Sequence, residues 1–253
     1  MATVRIDDRE GGVRVLTLDR PPANAENEAL FTDLSDALVT ARTDDAVRAV
    51  VVTGAGRFFS AGLDLNVRRD EAAARAFRGL FRGTHLRLIT FPKPTLAMVN
   101  GHAIAGGLVL ALACDYRLGV EGNYKVGLNE VAIGASYPKV AFEIVRLRLA
   151  HARAAELMLG AALYPASEAV RLGLVEELLP PDTCMATVLR RAARLGSFPR
   201  ETYAHTKAAL VAEVVAHTEA ETEAEEEHQA AVWETEESRA ARAAQREKLG
   251  QTG

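Results

Sequence analysis

The chain has 253 residues, 49% of them hydrophobic and 25% charged, with a formal net charge of -4 at pH 7. That length buries a substantial core as one large domain or two small ones, and the composition is that of an ordinary globular protein. The negative balance excludes a nucleic-acid footprint, and the two cysteines, Cys114 and Cys184, exclude a disulfide framework or a zinc site.

The N-terminus, "MATVRIDDREGG", has acidic residues and no apolar centre, unlike a signal or transit peptide. "TVRIDD" and "GVRVLTLD" alternate around Gly11-Gly12 and predict a β-hairpin. From Asn27, Leu30, Leu34, Ala37, Leu38 and Ala41 recur at helical spacing and stop before Asp44. "VRAVVVTG" predicts a buried strand, the segment from Asp70 to Thr90 a helix, and "KPTLAMVNG" a second strand. "IAGGLVLALAC" predicts a short buried helix, too short to span a bilayer, and "DYRLGV" a third strand. This order implies right-handed βαβ units around a mainly parallel sheet. After about residue 140, "VAFEIVRLRLAHARAAELMLG", "ASEAVRLG", "TCMATVLRRAARLG" and everything from Pro199 onward read as helices. "LVEELLP" is the one later strand expected. The seven glutamates between 213 and 227 read as a solvated helix face. A cytoplasmic protein with no membrane partner and no metal is expected.

Two motifs suggest a dehydrogenase and fail. "TGAGRF" supplies Gly54 and Gly56 of a dinucleotide loop, but Phe59 stands where the third glycine belongs, and no helix pattern starts until about Asp70. Tyr203 and Lys207 have Tyr-x-x-x-Lys spacing, which common residues produce easily by chance.

Two other segments belong together. "RFFSAGLDL" and "NGHAIAGGLVLALACDYRL" both place small residues where backbone N–H groups can be exposed at a strand end. Gly106-Gly107 opens a helical run, where unpaired N–H groups and the helix dipole suit an oxyanion. One N–H from each segment makes an oxyanion hole.

With "LDRPPANA", "VGLNEVAIG" and "ALYPASEAVRLGLVEELLP", these segments resemble the enoyl-CoA hydratase/isomerase (crotonase) superfamily over nearly the whole chain. "SAGLDL", "AGGLVLALACDYR" and "GLNE" are most similar to 3,2-trans-enoyl-CoA isomerases. The resemblance implies an α/β fold, the crotonase (ClpP-like) spiral of ββα units with a C-terminal helical region. It divides the chain into a core domain, 1–198, and a helical trimerisation region, 199–253, and implies a homotrimer or a dimer of trimers. The oxyanion donors would be Leu63 and Gly106. The acyl-CoA thioester substrate would run along Ala61, Gly62, Leu63, Asp64 and Leu65, with Ala23 and Ala25 near the adenine. Where the family usually has an apolar residue after Asn-Ala, this chain has Glu26. Lys207 or a basic neighbour is a candidate for the CoA phosphates, and Tyr137 and Phe142 for the acyl pocket. No cofactor is implied, because coenzyme A belongs to the substrate.

Hydratases of the family use two glutamates, at the positions filled here by Val109 and Glu130. Valine can neither hold water nor move a proton, so half of the hydratase pair is missing. A 3,2-isomerase needs one base: a carboxylate takes a C2 proton and returns it at C4 through a dienolate held by the oxyanion hole. Glu130 is that base, and the resemblance implies conversion of 3-enoyl-CoA to 2-trans-enoyl-CoA in fatty acid metabolism. The alternatives are an enoyl-CoA hydratase and a non-catalytic acyl-CoA-binding relative. Asp64 and Asp115 read as caps or turn residues.

Overall fold

The computed structural model describes residues 2–67 and 69–251; Met1, Arg68 and residues 252 and 253, the end of the expected helical region, lie outside it. The expected hairpin is present as β1 (Val4–Arg9) and β2 (Val13–Leu18), paired antiparallel. Gly11 and Gly12 make its turn with φ of +75° and +71°, a region that favours glycine because it has no Cβ. β2 then pairs parallel with β3 (Ala49–Gly54), β3 with β5 (Thr95–Val99), and β5 with β7 (Tyr116–Val120). β10 (Glu177–Leu179) completes a six-stranded sheet in the order β1-β2-β3-β5-β7-β10.

A second sheet has the order β4-β6-β8-β9: β4 (Phe58–Ser60), β6 (His102–Ile104), β8 (Lys125–Gly127) and β9 (Leu163–Pro165). Each strand has three residues, too few to display an alternation, so sequence periodicity does not reveal them. The chain therefore repeats one unit: a long strand for the first sheet, a short one for the second, then a helix. The helices closing these units are α2 (Glu71–Ile89), α3 (Gly106–Ala113) and α4 (Lys139–Arg148). This is the expected spiral of ββα units.

Capping explains two helix starts. Asn27 accepts a hydrogen bond from Leu30 N at the head of α1 (Glu28–Thr43), and Asp70 accepts one from Ala73 N at the head of α2. The single helix expected over "VAFEIVRLRLAHARAAELMLG" is two, α4 and α5 (His151–Gly160), because Leu149 and Ala150 take extended backbone angles. "ASEAVRLG" holds only a 3-10 turn, Ala166–Glu168, directly after β9.

The two faces of β3 bury different cores. Val50 and Val52 face a large cluster shared with Leu34, Leu38, Phe91 and Leu110. Ala49 and Val51 face a smaller one beneath α6 (Pro181–Gly196), with Cys184, Val188 and Ala192. Each fully buried large aliphatic side chain contributes about 1.5–3 kcal/mol before entropy is counted.

The chain ends in α7 (Arg200–Glu219), α8 (Glu223–Trp233) and α9 (Glu236–Gln251). The acidic stretch is more than a solvated face. Glu223 pairs with Arg75, Glu226 with Arg82 at 3.2 Å, and Glu225 with Lys139 at 3.2 Å, which ties α8 to α2 and α4. Among the described residues, no helix is long and apolar enough to cross a membrane.

Candidate active site

Three loops meet where the short strands end. The loop after β2 is pinned by Asn24, whose Nδ2 donates to Ala55 O at 3.0 Å and Phe58 O at 2.8 Å. Ala61 N donates to Ala23 O at 3.0 Å, so the two stretches expected to line coenzyme A run side by side. Within them Ala23, Ala25, Ala61, Leu63 and Leu65 are half-buried, while Gly62 and Asp64 are buried. The Asp64 carboxylate accepts from Arg20 Nη2 at 2.6 Å and from Asn66 N at 3.0 Å, so it holds the loop, as expected of a structural residue.

Leu63 and Gly106, the expected oxyanion donors, lie on adjoining loops. A parallel bridge joins Glu26 to Leu63 through Glu26 N to Gly62 O at 2.8 Å and Asp64 N to Glu26 O at 2.9 Å. These bonds flank Leu63 and leave its own N–H without a protein acceptor among the described residues. Gly106 is the first residue of α3, so its N–H has no intrahelical carbonyl to bond. Ala105, at φ +52° and ψ -127°, makes the sharp entry into that helix. The two donor loops touch: a Cβ built on Gly62, at φ +78°, would lie 2.9 Å from Gly106 N.

Glu130 precedes the 3-10 turn Val131–Ile133 and is 7% exposed. Tyr137 Oη donates to Glu130 Oε2 at 2.8 Å, so Tyr137 serves the carboxylate directly. Burial pushes the Glu130 pKa up to about 7, and the tyrosine bond opposes that rise. Phe142, the other residue expected at the acyl pocket, is 41% exposed on α4 with Arg146 over its ring. Val109 is fully buried in α3.

One residue alters the arrangement expected from sequence. Glu26 is fully buried, and a Cβ on Gly106 would collide with its Oε2. Among the described residues Oε2 has no hydrogen-bond partner, and Ser60 Oγ donates to Oε1 at 3.5 Å. Burial first, then the nearby charge of Glu130, raises the Glu26 pKa to about 8. Sequence reading noted Glu26 only as a departure at the coenzyme A edge. The signal was a carboxyl at an apolar position.

Lys207 does not reach for phosphates. It is 6% exposed and bonded to Asp115 at 2.9 Å, and Tyr203 donates to the same carboxylate at 2.9 Å. The Tyr-x-x-x-Lys spacing is thus one face of α7 clamped to the end of α3. Both cysteines are buried and free, and no metal-binding group of His, Cys, Asp or Glu occurs among the described residues.

The C-terminal helices hold two site loops from behind. Arg242 Nη1 donates to Gly134 O at 2.6 Å, next to the Glu130 turn, and Arg246 Nη1 donates to Leu65 O at 3.3 Å.

A ββα spiral carrying this site defines an acyl-CoA enzyme of the crotonase superfamily. The chain belongs to the enoyl-CoA hydratase/isomerase family, whose model matches residues 8–252. It is 37% identical over 210 residues to a putative enoyl-CoA hydratase of Thermus thermophilus, covering 80% of this chain and 82% of that one. It is 34% identical over 191 residues to the 2,3-dehydroadipyl-CoA hydratase of Escherichia coli, covering 75% and 74%. Its fold superposes on the human mitochondrial delta3-delta2-enoyl-CoA isomerase with a TM-score of 0.93 at 25% identity, covering 99% of both chains.

Proposed function

We propose that the protein moves the double bond of a 3-enoyl-CoA to give the 2-trans-enoyl-CoA. The observation that carries this reading is the buried Glu130, whose charge reaches Glu26 where that residue abuts Leu63 and Gly106, with Val109 at the position of the second hydratase acid. The thioester oxygen accepts from both N–H groups, which makes C2 acidic. Glu130 removes the C2 proton, and charge moves onto the oxygen as the dienolate forms. Protonation at C4 leaves the conjugated product. Electrons stay on the substrate throughout, so coenzyme A as the substrate's handle is the only group the reaction needs. A base with pKa near 7 suits both uptake and release of a proton at neutral pH.

Hydration of 2-enoyl-CoA is the second reading, favoured by the carboxyl of Glu26 beside Gly106. Side-by-side assays on 3-enoyl-CoA and 2-enoyl-CoA decide between the two. Isomerisation that Glu130→Gln abolishes supports the first reading, and hydration without isomerisation replaces it with the second. For the assembly we propose a trimer or a dimer of trimers, and a stable monomer by sedimentation would refute that.

A further inference from the structure

Glu26 is the buried carboxyl that the one-base scheme leaves unused. Its backbone bridges to Leu63 and its Oε2 abuts the Cα of Gly106, so one residue touches both oxyanion donors. Leu or Met at this position would pack without cost, whereas a fully buried carboxyl with an unpartnered oxygen is unfavourable. Ser60 Oγ donates to Asn24 O at 2.9 Å and reaches Glu26 Oε1 only at 3.5 Å, a long contact whose lowering of the Glu26 pKa is outweighed by burial. Among the described residues no cation offsets a charge here: Arg20 donates to Ala25 O but pairs with Asp64, and the charged group acting on Glu26 is Glu130.

We propose that Glu26 is the second acid–base carboxyl of the enoyl-CoA site, the proton donor that complements Glu130 as base. This rests on the isomerase reading above. Glu130 takes the C2 proton: the C2–H bond breaks, an O–H bond forms on Glu130, and the electron pair spreads to the thioester oxygen. Glu26 then gives its proton to C4: its O–H bond breaks, the C3–C4 π pair forms the C4–H bond, the C1–C2 π pair moves to C2–C3, and the thioester carbonyl is restored. Glu26 is left ionised and Glu130 protonated; Glu130, 7% exposed, exchanges its proton with solvent and returns one to the fully buried Glu26, which resets the site. Burial raises both carboxyls above the ordinary range, and at Glu26 the charge of Glu130 adds to the rise, which favours the protonated form a donor needs.

The test follows a label. With 3-enoyl-CoA deuterated at C2 in ordinary water, a single base carries deuterium to C4, whereas two carboxyls lose it to solvent. Wild type should wash the label out, and Glu26→Gln should restore transfer to C4 with kcat lower by about 10²-fold. Glu26→Leu, which restores an apolar side chain, is the second variant should the amide fold poorly. Identical label distributions in wild type and folded variants overturn the proposal. Binding of acetoacetyl-CoA against pH gives a readout without turnover: a step near pH 8 in wild type should vanish in both variants. If wild type isomerises nothing, the isomerase reading falls and the C4 proton transfer with it, while a step that Glu26→Leu removes still assigns Glu26 as the titrating carboxyl of the site. If the step is unchanged by Glu26→Leu, Glu26 falls and the isomerase reading stands. Wild type that binds no acetoacetyl-CoA overturns both.

Discussion

Two clusters of buried ionisable groups in this chain follow opposite rules. The Asp115 carboxylate is fully answered: it accepts from Thr95 N at 2.9 Å, Thr95 Oγ1 at 3.1 Å, Tyr203 Oη at 2.9 Å and Lys207 Nζ at 3.0 Å. At Glu26 the charge of Glu130 acts with no cation against it among the described residues, one carboxyl oxygen has no hydrogen-bond partner there, and the N–H groups of Leu63 and Gly106 stand open nearby. The first cluster is a fastening, which joins α7 to the strand and helix ends of the core. The second holds unmet polarity in a buried place, the setting that the proposed thioester binding needs. Equal burial thus serves structure in one place and chemistry in the other, and hydrogen-bond satisfaction separates them.

Substitutions can break this contrast. The largest effect is expected from Glu130→Gln, which should lower kcat by about 10³-fold or more and leave the melting temperature nearly unchanged or raised. Asp115→Ala should do the reverse. It strands Lys207 and Tyr203 and should cost about 3–5 kcal/mol in chemical denaturation, with activity per folded molecule largely kept. Gly106→Ala should lower kcat by about 10²-fold, because the added methyl meets Glu26 Oε2 and moves one oxyanion donor.

Two predictions concern pH. Both site glutamates have folded pKa values, about 8 and about 7, above the ordinary 4.5, so the folded chain holds protons that the unfolded chain releases. Stability should therefore be full below about pH 4.5 and fall as pH rises through 7 and 8, by an amount on the order of a few kcal/mol. Glu26→Gln should flatten that fall, which denaturant midpoints at pH 5 and pH 8.5 will show. The smallest effect is expected from Tyr137→Phe. Losing a bond that favours the Glu130 carboxylate should move the acid limb of the pH–rate profile upward, and an unmoved limb would show that Tyr137 does not tune the base.

Much of the fold was legible because long strands and helices leave a period. β2, β3, β5 and β7 stand where alternating or continuous apolar runs predicted them, and α1 begins and ends at its capping signals, Asn27 and Asp44. The second sheet was not legible, since three-residue strands carry no pattern and exist through pairing with neighbours distant in the chain. The break at Leu149–Ala150 was also missed, because both flanking segments keep helical spacing.

The site divides in the same way. Leu63, Gly106 and Glu130 could be named from the sequence because each lies in a local motif whose neighbours set the backbone: a left-handed glycine, a helix start, a turn. The roles of Glu26, Tyr137 and Lys207 depend on which groups meet after the chain has wound through its turns. A carboxyl reads as an exposed charge until the fold removes its water and sets a second glutamate nearby. A lysine reads as a phosphate ligand until Asp115 is found against it. Local sequence set the backbone at Leu63, Gly106 and Glu130, the residues proposed as donors and base; desolvation and charge proximity, which act through space, decided what the other ionisable groups became.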